Sequence, residues 1–337
     1  MSTEKYEAWE RYADYAETEE SRLVSRQARR HRRAQPRHSP KKSEAEILAD
    51  LAEETAGLEG GFHPTYHPSR HEEGWLLQAL QDFYVEGLIT DVEAIVKGGK
   101  EANVYRCRGD DGWTAAKVYR PHVLRQMRND AVYRQGRATL TENGRAVRGN
   151  EHRVIRAIGK KSAFGLAVAH QSWLLHEFTA LELLHEAGAN VPKPLGVSPN
   201  AILMSYVGDG RTAAPTLHSV ALQRAQAHRL FERVLANLEL MLRHHLIHGD
   251  LSAFNILYWQ GEITLIDFPQ VVSAESNPNA QLLLQRDVQR VCDYFARQGV
   301  VASPDDLARR LWQTYLAPDP DDAAADLSRL LAEQTAS

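Results

Sequence analysis

The chain has 337 residues, 43% hydrophobic and 25% charged, with a formal net charge of −4. That is room for two lobes and tails, in the balance of an ordinary soluble globular protein. Its apolar runs are too short to cross a bilayer, and its N-terminus is acidic and polar where a signal peptide would be basic and then apolar. Its two cysteines, Cys107 and Cys292, belong to no Cys-x-x-Cys pair, which argues against a disulfide scaffold or thiolate zinc site and fits a reducing cytoplasm.

Residues 1–21 are rich in Glu and read as a frayed helix. Residues 22–42 carry nine Arg or Lys and no acid, leaving the rest of the chain thirteen negative. With Pro36, Pro40 and few apolar groups, this basic arm reads as disordered. It is either a solvated tail or an RNA- or ribosome-contacting arm acting by phosphate neutralisation. Residues 43–54 read as a short helix capped by Ser43, and Gly60-Gly61, Pro64 and Pro68 as a linker.

An amphipathic helix is expected over 72–87, with Leu76, Leu77, Leu80, Phe83 and Tyr84 on one face and Gly87 ending it. A strand from Val92 to Val96 leads into Lys97-Gly98-Gly99-Lys100-Glu101-Ala102-Asn103-Val104-Tyr105, a glycine-bearing strand–turn–strand. Gly98 and Gly99 let backbone N–H groups approach phosphate oxygens, although a plain hairpin has the same pattern. After the Gly109–Gly112 turn, Thr114-Ala-Ala-Lys117-Val-Tyr119 resembles the Val-Ala-Ile-Lys strand of kinases, where the lysine contacts the α- and β-phosphates. A lysine flanked by Ala116 and Val118 needs a partner if it is buried.

Residues 120–170 are basic, glycine-bearing and without sustained apolar period, and read as a long, partly helical insertion. A helix from about Gln171 to Ala187 carries Trp173, Leu174, Phe178, Leu181 and Leu184 as its stripe, and Glu177 within it is the candidate partner of Lys117. Strands follow at Pro194–Val197 and Ala201–Val207. Met204-Ser205-Tyr206-Val207-Gly208 falls where a hinge would, with backbone groups of Ser205 and Val207 toward an adenine edge and Met204 lining its pocket. A long helix over 216–246 delivers the chain to His248. His244, His245 and His248 read as a helix end and a structural histidine.

Ile247-His-Gly-Asp250-Leu-Ser-Ala-Phe-Asn255 then gives the Asp-x-x-x-x-Asn spacing of a phosphoryl-transfer loop. Two short strands around a Gln260-Gly261 turn lead to Asp267. Such a hairpin would set Asn255 beside Asp267 as oxygen ligands for Mg²⁺, with Asp250 placed to accept a hydroxyl proton. A further helix over 279–298 and terminal helices within 304–334 complete the chain.

Together these motifs resemble the RIO family of atypical serine/threonine protein kinases. Gly99-Lys-Glu-Ala-Asn-Val-Tyr105, His248-Gly-Asp-Leu-Ser-Ala-Phe-Asn255, Ile266-Asp-Phe-Pro-Gln270, and Asn277-Pro-Asn-Ala with Arg286-Asp-Val carry the resemblance, in that order. The helix before the phosphate loop is similar to the first RIO subgroup, while His-Gly-Asp and Asp-Phe-Pro-Gln are similar to the second; the chain reads as a bacterial branch nearer the first. The resemblance spans about 75–300 and leaves 1–70 and a long 120–170 segment unmatched. It implies an α+β, two-lobed kinase-like fold with an antiparallel N-lobe sheet and a mainly helical C-lobe. The implied domains are 1–70 as extension, 71–207 as N-lobe, 208–303 as catalytic C-lobe and 304–337 as tail. It also implies ATP with Mg²⁺ or Mn²⁺, and phosphate contacts from Gly98, Gly99, Lys100, Glu101 and Lys117. Asp250 would be the base, Asn255 and Asp267 the metal ligands, and Asp267 a site of aspartyl phosphorylation. The phosphoryl acceptor would be a protein, the chain itself, or Asp267 and then water. A small-molecule phosphotransferase of the aminoglycoside or choline kinase type, and an ATP-gated RNA-binding scaffold, are the competing readings.

Overall fold

The computed structural model describes residues 62, 64–120, 135–141, 144–148, 151–160 and 162–316. The expected features at 1–21, 22–42, 43–54 and Gly60-Gly61 lie outside the described residues, as do part of the 120–170 segment and everything after 316. The described residues form two compact units. One comprises those up to 120 with 138–185 and 192–213; the other comprises 135–137, 186–191 and 214–316.

In the first unit, helix α1 (Arg70–Val85) begins with Glu72 and Glu73 in its first turn, where acidic groups suit the positive end of the helix. It closes in a paired cap: Gly87, at φ 72°, donates to Tyr84 and Leu88 donates to Phe83. Strands β1 (Asp91–Lys97), β2 (Ala102–Gly109), β3 (Gly112–Tyr119), β4 (Pro194–Val197) and β5 (Ala201–Ser205) form one antiparallel sheet in the order β1-β2-β3-β5-β4. The period of two along β2 buries Asn103, Tyr105 and Cys107. Leu76, Leu80 and Phe83 of α1 pack with Val92, Tyr105, Cys107, Ala116, Val118 and Leu203 as one core. Burial of each large side chain contributes about 1.5–3 kcal/mol.

Helix α2 (His152–Gly159) lies in the 120–170 segment, and α3 (Ala163–Glu186) follows it. The expected start of that second helix, near Gln171, is therefore about two turns late. Gly165, which made this stretch look irregular, is where α3 crosses α2: a Cβ there would sit 2.1 Å from the Ala157 carbonyl oxygen. Strand β5 also stops at Ser205, not Val207. Beyond it Gly208 bridges to Ala213, and Asp209 accepts from the N–H groups of Arg211 and Thr212 in a tight turn.

In the second unit, helices α4 (Arg224–Arg243), α5 (Ala280–Arg297) and α6 (Pro304–Tyr315) accompany short pairs β6 (Leu246–Ile247) with β9 (Val272–Ser273), and β7 (Ile256–Trp259) with β8 (Glu262–Leu265). Leu230, Val234, Leu238, Met241 and Leu242 are the buried stripe of α4. The helix expected over 216–246 begins only at Arg224, because the chain before it makes tertiary bonds instead. His218 donates to Ala253, Thr216 bridges Leu257, and Tyr294 Oη donates to the Leu217 carbonyl at 2.7 Å. The β7–β8 turn has positive φ at both Gln260 (51°) and Gly261 (88°), the twist that matches a two-residue hairpin.

Candidate active site

The residues singled out from the sequence are divided between the two units. In the first, Ala116 and Val118 of β3 are buried in the sheet core, so the alternation turns Lys117 to the other face. Its Nζ lies 2.6 Å from Glu177 Oε1 on α3. Glu177 is 3% exposed and also accepts from the Tyr119 hydroxyl on Oε2. The carboxylate thus has a hydrogen-bond partner on each oxygen, which such burial requires.

Gly98 through Glu101 form the turn between β1 and β2, with Lys100 and Glu101 exposed. The Gly99 N–H donates to Asn103 Oδ1 at 3.2 Å. Asn103 Nδ2 in turn donates to Tyr105 Oη at 3.0 Å and Glu72 Oε1 at 3.4 Å, and the Tyr105 hydroxyl donates to the same Glu72 oxygen. Burial, together with the Glu72 bond, pushes the Tyr105 phenol far above its ordinary range, so it stays a donor. Glu72 was not singled out from the sequence: it lies on α1, 31 positions before Asn103, in a helical stretch where acids are ordinary.

At the expected hinge, Met204 packs on the cluster of Tyr119, Trp173, Leu174 and Ile202. Ser205 departs from the expectation in one respect. Its N–H donates to the Lys193 carbonyl at 2.8 Å and its Oγ accepts from the Lys193 N–H at 2.9 Å, so its backbone N–H is not left for a base edge. Val207 lies past the strand end.

In the second unit, buried His248 accepts from the Asp250 N–H on Nδ1 at 3.3 Å, and its Nε2 is 3.2 Å from the Ile266 carbonyl oxygen. The ring therefore carries its proton on Nε2 and links the loop to the strand end before Asp267. His244 caps α4 and His245 pairs with Glu275. Asn255 Nδ2 donates to the Asp250 carbonyl at 2.9 Å and to Asp250 Oδ2 at 3.3 Å. The Ile266 N–H donates to the Asn255 carbonyl at 3.0 Å, which aligns the backbone of Asn255 with the residue before Asp267. Asp267 itself has φ 73°, a left-handed conformation that Asp tolerates better than most residues.

Three further residues complete this loop. Asp287 of α5, fully buried, accepts from the N–H groups of Gly249 (2.8 Å) and Leu251 (3.1 Å). Burial pushes its carboxyl up to about 7, against the pull of these donors and of Arg286 and Arg290. Arg290, one turn along the same helix, places NH1 2.6 Å from Asp250 Oδ1. Gly249 has φ 79°, and a Cβ on it would meet the Gln270 carbonyl oxygen at 2.4 Å. The glycine of His-Gly-Asp and the segment Phe268-Pro-Gln270 therefore fit as a pair. Asp250 opens on a cavity of about 430 Å³ also lined by Ser252, Phe254, Arg290 and Tyr294.

With the amide nitrogen of Asn255 committed to Asp250, its Oδ1 is the atom left for a cation. Amide and carboxylate oxygens such as Asn255 Oδ1 and those of Asp267 are of the hard-oxygen type that Mg²⁺ takes. An antiparallel sheet bearing a buried Lys–Glu pair, with a mainly helical unit bearing an Asp–Asn loop, defines the class of kinase-like phosphotransferases. The RIO domain profile matches residues 103–307, and the chain belongs to the RIO family of serine/threonine protein kinases. The RIO-type serine/threonine-protein kinase Rio1 of Haloferax volcanii is 32% identical over 232 residues, 68% of this chain and 71% of that protein. Human serine/threonine-protein kinase RIO1 is 29% identical over 216 residues, 64% of this chain but 35% of its own length. The chain thus stands nearest the first RIO subgroup and spans well under two thirds of the human relative. Among solved structures, the Rio2 kinase from Chaetomium thermophilum aligns over 87% of both chains at 23% identity and a TM-score of 0.49.

Proposed function

We propose that this chain transfers the γ-phosphoryl group of ATP to a serine hydroxyl, on another protein or on itself, and that the site residues act as follows. Lys117, held by Glu177, contacts the α- and β-phosphates, and the Gly98–Glu101 turn covers them. The Ser205 carbonyl and the Val207 backbone take the adenine edge beside Met204. Asp250 orients the acceptor hydroxyl and takes its proton. Asn255 and Asp267 hold Mg²⁺, or Mn²⁺ in its place, and the ion when bound neutralises charge on the phosphates. The rate gain comes from positioning and charge stabilisation.

The observation that carries this reading is the pair of hydrogen bonds that the Asn255 amide nitrogen donates to Asp250, to its carbonyl at 2.9 Å and to its carboxylate at 3.3 Å. One side chain there orients the base and turns its own oxygen outward for a cation. The small-molecule alternative is disfavoured by the family match over 103–307.

A second reading, ATP hydrolysis through an aspartyl phosphate on Asp267, is favoured by one feature. Only residues 268–279 separate Asp267 from α5, and part of that length is β9, which leaves little chain to build a peptide groove. Incubation with γ-labelled ATP and Mg²⁺ distinguishes the two. Acid-stable label on protein supports serine phosphorylation. Hydroxylamine-labile label that Asp267→Asn abolishes supports the aspartyl route. Release of phosphate with neither kind of label would contradict both covalent outcomes.

The reading extends to a cytoplasmic location, in keeping with two free, buried cysteines. Among the described residues no helix is long and apolar enough to cross a membrane. It extends further to an RNA or ribosomal contact by residues 22–42. Deleting that arm would then reduce RNA affinity and its salt dependence, and unchanged affinity would remove the arm from the account.

A further inference from the structure

Residues 120–161 carry eleven Arg or Lys against three acids, in a chain whose formal net charge is −4. Among the described residues, the proposed chemistry assigns no role to these side chains. Helix α2 sits within it, is eight residues long and buries none of its side chains. An isolated helix shorter than ~12–15 residues is marginal in water, so neither intrinsic propensity nor core packing accounts for it.

The corner between α2 and α3 holds it in place. The Ser162 N–H donates to the Ala157 carbonyl at 3.1 Å, and Ser162 Oγ accepts from the Gly165 N–H at 3.1 Å. Gly165 lies so close to the Ala157 backbone that no Cβ would fit. Arg153 lies over the Phe164 ring at 5.9 Å. The result is a cavity of about 380 Å³ lined by His152, Arg153, Arg156, Lys160, Ser162 and Phe164.

Among the described residues no carboxylate lines it. The nearest acid in sequence, Glu151, faces Arg145 and the Arg148 N–H. Among the described residues no acid pairs with Arg156 or Lys160. Arg153, Arg156 and Lys160 recur at three- and four-residue steps, which places them along one face of the helix.

We propose that the α2–α3 corner is a binding site for a phosphate monoester dianion, formed by residues other than those assigned to ATP. Arginine and lysine donors converging on one small concavity suit a compact doubly charged group, since charge-assisted bonds are the strong ones. A phosphodiester strand, with one charge per phosphate, would be served better by a track of cations than by one fixed corner. The monoester could be free phosphate or the phosphorylated side chain of a protein.

The test is calorimetric titration of the full chain with inorganic phosphate and with a phosphoserine peptide, at low ionic strength. A saturating non-hydrolysable ATP analogue and Mg²⁺ keep the nucleotide residues occupied. Both probes should bind, and the unphosphorylated peptide should not. Tighter binding of the peptide would assign the site to a phosphorylated protein, and equal binding to the free anion. Arg156→Gln with Lys160→Gln should weaken both by about tenfold or more, and Arg156→Glu alone should weaken them at least as much. Circular dichroism should be unchanged and ATP turnover should stay within about twofold. Three results would overturn the proposal: no binding of either probe, binding that survives these substitutions, or a ten-nucleotide single-stranded RNA that binds more tightly than phosphoserine peptide and is lost in the same variants.

Discussion

In the proposed mechanism Asn255 has two duties, orienting Asp250 through its nitrogen, which donates to it, and offering its oxygen to a cation. Asn255→Ala removes both and should lower kcat by about a hundredfold or more, the scale seen when a single preorganised donor is lost. Asn255→Asp keeps a metal oxygen but sets a carboxylate against Asp250; it should bind the ion and still be slow. Steady-state kinetics over a Mg²⁺ titration would separate the two effects. Lys117→Met should cost stability as well as activity, because it leaves Glu177 buried with the Tyr119 hydroxyl and without its cation; about 3–5 kcal/mol is the expected scale. Lys117→Met with Glu177→Gln should recover most of that stability in denaturant titration and none of the turnover.

Asp287 gives a prediction with a sign. Its carboxyl is raised from 3.8 to about 7, so the folded state holds a proton that the unfolded chain has lost over that interval. Its contribution to stability is fully present below pH 3.8 and is lost as pH rises through about 7. Asp287→Asn should therefore flatten the fall in stability between pH 4 and 7, as followed by urea midpoints. An unchanged slope would mean that the two backbone donors hold this carboxylate ionised despite its burial.

At the scale of elements, α1 is tied to the phosphate turn by the path from Glu72 through Tyr105 and Asn103 to the Gly99 N–H. Glu72→Gln should raise KM for ATP more than it lowers kcat, because it loosens the turn without touching the base. Equal loss of both would place its effect elsewhere. The helix and strand patterns were legible where one face is buried, as in the stripes of α1 and α4 and the Gln260-Gly261 hairpin. They misled where backbone groups serve other partners. Residues 216–223 look helical by their apolar spacing, but their main chain bonds the catalytic loop and the β7 strand. Residues 163–170 look irregular because of Gly165, and that glycine is what lets α3 pass α2. Arg290 and Glu72 gave no signal at all: each is an ordinary charged residue on a helix until the fold sets it against Asp250 or Tyr105.

For the molecule as a whole, the proposed chemistry is shared out. The first unit holds the Lys117–Glu177 pair and the phosphate turn, while the second holds Asp250, Asn255 and Asp267. The order of motifs along the chain made this division readable, because each falls at the end or middle of a regular element. What binds as acceptor was not readable, since the cavity beside Asp250 draws on loop and helix residues that no single motif contains. In the proposed mechanism Asp250 and Asp267 serve one phosphoryl transfer. This is tested most directly by loss of γ-phosphoryl from ATP with Mg²⁺, measured on folded full-length chain for the parent, Asp250→Ala and Asp267→Ala. A drop of about a thousandfold or more in both variants is predicted; turnover at the parental rate in both would contradict the account.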